Sequence, residues 1–356
     1  MPLTVLSVAF PFAPVSEDPV GGAEQVLSHL DRALVRAGAR SIVVASEGST
    51  PAGDLVPVRQ PTGDIGASEQ AETHAQVRRL ITEAVGRHHP DLVHMHGVDF
   101  WAYEPPPGPP VLVTLHLPLS WYPAEALTPI RADTWLAPVS HDQARRGPAT
   151  ARLTEPIENG VDLGAYPPAR KHRFAVALGR ICPEKGFHHA LDAARAAGVP
   201  LLLAGSVFPY AEHRRYFEAE IAPRLDRARR WIGPVTGPAK RRLMAAGLCL
   251  VAPSLAPETS SLVAREALAA GTPVVALRTG ALEEVVEDGR TGVLVDRPEA
   301  LPQAIADAGR LRPEDCRRAA ASRFGAGRMV ASYMSVYRRL SAGESLPLMQ
   351  GWGADA

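Results

Sequence analysis

Short apolar runs alternate with amphipathic stretches along nearly the whole chain. Thr4–Phe10, Ser41–Ala45, Leu92–His94, Val111–Leu115 and Thr134–Pro138 are compact and rich in β-branched residues or Leu, as buried strands are. Between them, Gly22–Ala37 and His74–His88 repeat apolar positions at helical spacing. Strands that are apolar on both faces and separated by helices predict parallel sheets covered on both sides. At Ile157-Glu158-Asn159-Gly160-Val161-Asp162 the rhythm breaks into turn residues, followed by Pro167-Pro168 and the basic run Arg170-Lys171-His172-Arg173. A second series then begins. It predicts strands at Phe174–Leu178, Pro200–Ala204, Trp231–Gly233, Cys249–Ala252, Pro273–Ala276 and Val293–Val295. Helices are expected over Gly186–Ala197, Tyr210–Arg229, Pro238–Ala246, Ser261–Ala270 and Glu299–Ala308. A last helix, about Ala326–Leu340, places Met329, Val330, Tyr333, Met334 and Tyr337 on one stripe and should pack back on the body.

The pattern predicts an α/β protein of two doubly wound, Rossmann-like domains whose ligands lie at the carboxyl ends of the strands, in a central cleft. Residues 1–160 form the first domain, 161–173 a linker and 174–325 the second domain. Residues 326–341 form a helix crossing back to the first domain, and 342–356 a tail rich in Gly, Ala and Pro that is expected to fray. Composition agrees: 356 residues exceed one ordinary core, and 46% hydrophobic with 21% charged residues excludes a disordered chain. The 38 basic residues balance 38 acidic ones, so nothing global points to nucleic acid. The segment 210–230 and Lys240-Arg241-Arg242 are basic but read as solvated helix faces, so peripheral membrane contact is not indicated. Cys182, Cys249 and Cys316 lie far apart without a CxxC pair, which argues against disulfides or a zinc site and for a reducing cytoplasm. The N-terminus lacks a basic leader, and no apolar run reaches the roughly 18 residues of a membrane span.

Candidate chemistry concentrates in a few loops. Glu258 and Glu266 have seven residues between them, around a helix predicted to open at Ser260-Ser261. At about 1.5 Å rise per residue they would flank one helix N-terminus about 10 Å apart. Such an end presents free N–H groups and a positive dipole to a phosphate, and the flanking carboxylates suit hydroxyl groups. Arg180 and Lys185, in Gly179-Arg180-Ile181-Cys182-Pro183-Glu184-Lys185-Gly186, emerge from one strand-to-helix turn and can reach one diphosphate. Gly21-Gly22-Ala23-Glu24 opens the first long helix and lets a ligand approach the backbone, although it is not a GxGxxG fingerprint. His116 ends one strand, and His94 and His96 end the strand before it. His-x-His can bind zinc, but no carboxylate or thiolate stands at a matching spacing, so no metal is expected. Asp99, Trp101 and Trp121, with Tyr103 and Tyr122, share these loops and suit stacking on a sugar or other acceptor.

In order and spacing these motifs resemble the retaining GT-B glycosyltransferases of family 4. The resemblance spans most of the chain. It rests on Gly21 to Glu24, Asp91 to Gly97, the His116 loop, Asn159 to Asp162, Gly179 to Gly186, Leu203-Ala204-Gly205, the glutamate block and Leu282 to Val295. It implies a first, acceptor-binding domain and a second that binds a nucleotide sugar, with no further cofactor. By the same resemblance Arg180 and Lys185 grip the donor diphosphate, Glu258 contacts the transferred sugar and Glu266 holds the ribose. The backbone at Ser260-Ser261-Leu262 caps the phosphates, Gly22 approaches them beside Gly21, and His116 touches the sugar; Gly179 and Gly205 line the donor site. His94, His96, Asp99, Trp101 and Trp121 are the candidate acceptor contacts. Many members carry Phe-Gly where this chain has Ser260-Ser261, which leaves the donor sugar open. No Asp-x-Asp pair is present, so no bridging metal is expected. A nucleotide-sugar isomerase, a sugar phosphorylase or a binding protein without turnover are the other readings of the fold.

Overall fold

The computed structural model describes residues 2–19, 21–61 and 65–349. The chain divides into two compact units, Met1–Asn159 with Gly327–Ala356, and Gly160–Ala326. The first unit runs β1 (Thr4–Val8), α1 (Gly22–Arg36), β2 (Arg40–Ser46), β3 (Asp54–Val58), α2 (Ala67–His88), β4 (Leu92–Met95), β5 (Val111–Leu115), β6 (Thr134–Pro138) and α3 (His141–Arg145). Its parallel sheet has the order β3-β2-β1-β4-β5-β6. β4, β5 and β6 are buried along their length, which is why they read as unbroken apolar runs. The sequence reading missed β3. It is an edge strand that contains Pro57, and its missing N–H is tolerated only there. It also started α2 seven residues late, because the first turn is polar and is held by the Glu69 carboxylate accepting from the Gly66 N–H at 3.0 Å.

The second unit runs β7 (Ala175–Leu178), α4 (Phe187–Ala196), β8 (Leu201–Ala204), α5 (Ala211–Tyr216), β9 (Arg229–Trp231), α6 (Gly237–Ala246) and β10 (Cys249–Ala252). It continues through α7 (Leu262–Ala269), β11 (Val274–Leu277), α8 (Leu282–Val285), β12 (Gly292–Val295), α9 (Leu301–Ala308) and α10 (Pro313–Arg323). Its parallel sheet, β12-β11-β10-β7-β8-β9, has the same strand order as the first. In each unit, the first and fourth strands lie side by side at the centre. Connections leave that pair in opposite directions and open a crevice at the carboxyl ends.

Three expectations need correction. The helix expected over 210–229 stops at Tyr216, passes through a wide turn at Phe217–Ile221 and a tight one at Ala222–Arg224, and gives way to β9. Pro223 cannot donate a helical hydrogen bond, which accounts for the break. Residues 161–173, expected as a linker, fall within the second unit: Val161 is fully buried, donates to the Phe324 carbonyl at 2.8 Å and accepts from Ala326 N–H at 2.9 Å. Of the expected tail, residues 350–356 lie outside the described residues. The described part is fastened, with Leu348 bridging Thr154 and Met349 N–H donating to the Leu153 carbonyl at 2.8 Å.

The last helix, α11 (Ala326–Ser341), belongs with the first unit from Gly327 onward and buries Met329, Tyr333, Tyr337 and Leu340. Tyr337 and Tyr333 hydrogen-bond to His94 and Thr114 of the first sheet. Among the described residues, no helix is long and apolar enough to cross a membrane.

Candidate active site

The central crevice of the second unit lies where the loops after β7 and β10 meet. Two glycines let neighbouring loops press against the loop after β10. Gly186 sits at φ 60°, and a Cβ there would stand 2.3 Å from the Pro253 carbonyl oxygen. Gly280, at φ 59°, would likewise strike the backbone of Glu258, which pairs with it as an isolated bridge. Between these contacts Lys185 closes the single turn Pro183–Lys185 and places Nζ 2.6 Å from Glu258 Oε1. The Ser254 hydroxyl donates to the same oxygen. Burial opposes the charge on Glu258, but Lys185, Ser254 and the more distant Arg180 together hold its pKa below the usual carboxylate value. The Arg180 guanidinium lies over the Phe208 ring, 5.8 Å from its centre. Gly179 and Gly205 abut across the loops after β7 and β8.

The glutamate block continues into α7. Ser261 caps this helix in the left-handed region, φ 48° and ψ 65°, with no side-chain capping bond. The Ala264 N–H turns back to the Ser261 carbonyl at 3.0 Å, no side chain caps the turn, and Leu262 begins a positive helix end. The buried Ser260 hydroxyl has no hydrogen-bond partner. The Ser260 carbonyl accepts from Arg265 Nε at 3.0 Å, and Arg265 is itself fully buried over the Phe324 ring. Glu266, just over one turn into α7, is 1% exposed and lies 2.8 Å from Lys240 Nζ. Cations, paired carboxylates and an uncapped helix N-terminus thus share one crevice, a combination suited to an anionic ligand that also carries hydroxyl groups.

Residues 20–164 match the family model described as Glycosyltransferase Family 4, and residues 172–309 match the model described as Glycosyl transferases group 1. The chain belongs to glycosyltransferase family 4. Glycogen synthase of Mycobacterium tuberculosis is 28% identical over 351 residues, covering 82% of each chain. The crystal structure of AviGT4, a glycosyltransferase involved in avilamycin A biosynthesis, shares 25% identity with a TM-score of 0.71 over 97% of this chain and 100% of that one. HepE of Anabaena, solved in complex with UDP-glucose, shares the fold with a TM-score of 0.69 at 20% identity, over 94% of this chain and all of that one. The two sheets are those of the GT-B fold.

In this family 4 glycosyltransferase, the second unit brings together Arg180, Lys185, Glu258, Ser260, Ser261, Leu262 and Glu266, all of which the sequence had singled out. Three further contributors escaped it. Lys240 was read as part of a solvated basic face, yet its side chain is 15% exposed and paired with Glu266. Ser254 and the fully buried Arg265 had no motif to mark them, since each acts through a contact made only on folding.

The first unit of the family 4 enzyme carries the remaining candidates. Gly21 caps α1, Gly22 is its first residue, and the Glu24 carboxylate folds back over Gly21, with burial raising its pKa. His116 follows β5, where its N–H donates to the Tyr122 hydroxyl at 3.0 Å. Its Nε2 lies 3.3 Å from His96 Nδ1, and His96 Nε2 lies 3.1 Å from His94 Nδ1. The His94 ring also meets Tyr337 at 2.7 Å and Thr114 at 2.8 Å. Because His96 turns one nitrogen to each neighbour, the three rings form a chain and do not converge on one point. Burial lowers the pKa of all three, that of His116 to about 4.

Three acceptor assignments are corrected by these contacts. His94 and His96 are 0% and 1% exposed and belong to the interior hydrogen bonding that seats α11. The Asp99 carboxylate is occupied by His74 Nε2 at 2.7 Å and by the Tyr103 hydroxyl, which tie its loop to α2. Trp101 packs against Phe100 and Tyr122, and Trp121 is 43% exposed. The three cysteines are free and buried. Cys182 is not isolated as its spacing suggested, for Glu184 and His213 stand beside it.

Proposed function

We propose that this chain transfers a sugar from a nucleoside diphosphate donor, a UDP- or GDP-sugar, to a hydroxyl of a glycan, lipid or small-molecule acceptor, with retention of anomeric configuration. The observation that carries the reading is the Lys185–Glu258 ion pair beside the uncapped N-terminus of α7, with Glu266 one turn further on. Arg180 and Lys185 bind the diphosphate, and Lys185 exchanges part of its contact with Glu258 for phosphate oxygen. Glu258 then accepts from sugar hydroxyls, and Glu266, oriented by Lys240, accepts from the ribose. The orphaned Ser260 hydroxyl and the first N–H groups of α7 complete the anion site. The likeness to a protein solved with UDP-glucose supports a nucleotide-sugar donor.

In the reaction the bond from the sugar to the diphosphate breaks, and the two cations with the helix end stabilise the charge left on the diphosphate. The acceptor oxygen bonds to the same face of the sugar, and its proton passes to the departing phosphate oxygen. Neither glutamate is a covalent nucleophile, in contrast to the paired carboxylates of retaining glycosidases. No divalent metal bridges the diphosphate in this scheme. Gly21, Gly22 and His116 keep the donor-side roles that the family resemblance implies.

A panel of labelled nucleotide sugars, first screened by thermal shift and then incubated with acceptor pools, tests the reading. Transfer with retained configuration, at a rate changed less than about threefold by added magnesium or manganese, is expected. Interconversion of the donor without an acceptor would indicate an isomerase. Phosphate-dependent release of sugar phosphate would indicate a phosphorylase, and binding with no product a non-catalytic protein.

A further inference from the structure

Behind the Lys185 turn lies a cluster that the transfer reaction does not use. Cys182, which is fully buried, precedes the turn Pro183–Lys185, and Glu184 lies within it. His213 enters from α5 and is 7% exposed. The thiol sulfur, a carboxylate oxygen and a ring nitrogen of these three residues all lie within 4.8 Å of one another. Two buried atoms here, Glu184 Oε2 and His213 Nδ1, have no hydrogen-bond partner. The thiol donates to the Arg180 carbonyl at 3.5 Å. A buried polar atom without a partner costs about 1–3 kcal/mol, so two in one place ask for a shared ligand. A divalent cation can engage the sulfur, the oxygen and the nitrogen together, which a hydrogen bond between two of them cannot.

The charges narrow the choice of cation. A thiolate, a carboxylate and a neutral imidazole around a dication sum to zero, which a site beside Arg180 can accommodate. Burial raises the Cys182 thiol and lowers His213, and in each case the Arg180 charge favours the proton-free form. Glu184 is disfavoured by burial, but the Cys182 thiol and Arg180 outweigh this and hold its pKa below the usual value. Binding of the metal displaces the thiol proton, which passes to solvent. A mixed sulfur, nitrogen and oxygen set suits zinc and disfavours magnesium or calcium. Tetrahedral zinc separates its ligand atoms by roughly 3.5 Å, so side-chain shifts of about 1 Å would close the site.

We propose that Cys182, Glu184 and His213 bind one zinc ion, with water as the fourth ligand, and that the ion braces α5 against the turn that carries Lys185. The Glu184 carbonyl accepts from the Leu255 N–H at 2.8 Å, so the brace extends to the loop that holds Glu258. The site stands on these residues alone and does not depend on the proposed reaction.

The full chain, stripped by chelator under reducing conditions, is titrated with zinc or cobalt(II) alone. One equivalent should bind, cobalt should show the thiolate charge-transfer and visible bands of a tetrahedral centre, and the melting temperature should rise. X-ray absorption of the zinc form should find one sulfur in the first shell. Cys182→Ser and His213→Gln should each weaken binding at least tenfold, while Cys249→Ser and Cys316→Ser leave it unchanged. A first shell without sulfur in the wild-type protein, or no stoichiometric binding, overturns the proposal even if a variant fails to fold. Undiminished binding in folded Cys182→Ser overturns it as well.

Discussion

At the residue scale, the crevice of the second unit separates charge stabilisation from recognition. Arg180→Ala or Lys185→Ala should slow turnover by roughly two to three orders of magnitude, as loss of a charge-stabilising donor does. Steady-state kinetics beside a thermal melt will check this, and near-normal turnover in both variants would remove the diphosphate from this turn. Glu266→Gln should mainly raise the donor KM, because a ribose contact persists from ground to transition state. Glu258→Gln should instead lower kcat and change the preferred donor sugar, so identical behaviour of the two variants across donors defeats the assignment. Ser261 holds a left-handed conformation that side chains disfavour by about 1 kcal/mol. Ser261→Gly should therefore raise stability by up to about that amount in urea denaturation, less the entropy that glycine adds to the unfolded chain. Unchanged or lower stability would mean that contacts of Ser261 outweigh its strain. Arg180, Lys185, Glu258 and Glu266 were legible in the sequence because each lies within a continuous motif. Lys240, Ser254 and Arg265 were not, because their partners are set by folding. Asp99 erred the other way: a polar residue among aromatics looks like a ligand contact until His74 and Tyr103 are seen to occupy it.

At the scale of elements, the strands buried on both faces were the readable part, since nothing interrupts their apolar runs. β3 was hidden by Pro57, and α10 by a narrow stripe of Cys316, Ala319 and Ala320 in an otherwise polar segment. The break after α5 follows from Pro223, but its place at Tyr216 does not, because the wide turn that begins there leaves no sequence signature. The contact of α11 with the first sheet carries a pH dependence. His94, His96 and His116 are held neutral by burial, with pKa values below the ordinary 6.5 and that of His116 near 4. Their contribution to stability is complete above about pH 6.5. As pH falls from there toward the folded values, the unfolded chain takes up protons that the folded chain refuses, and stability drops. The slope is at most about 1.4 kcal/mol per pH unit for each ring. Urea midpoints measured at intervals from pH 7.5 to pH 5 should fall for the native chain and fall less steeply for His96→Gln. Equal slopes would show that the ring chain is not what titrates.

At the scale of the molecule, one topology occurs twice, and in the second unit its central crevice holds the candidate chemistry. Strand order, motif and ion pair agree there, although they arise from separate features of the sequence. The first unit differs in one respect: the chain leaves it at Asn159 and returns only at Gly327. That detour sets an order of events during synthesis. When β1 to β6 have left the ribosome, the second unit has still to be made, and Tyr333 and Tyr337 reach the sheet only after it. Until then His94 and Thr114 lack their tyrosine partners, and one surface of the nascent sheet stays uncovered. The unit encoded first is therefore expected to mature last. Pulse proteolysis of stalled nascent chains can follow this. Chains halted with residue 326 just outside the exit tunnel should protect the second unit and leave the first open to cleavage. Equal protection of both at that length would show that the first unit closes without its final helix.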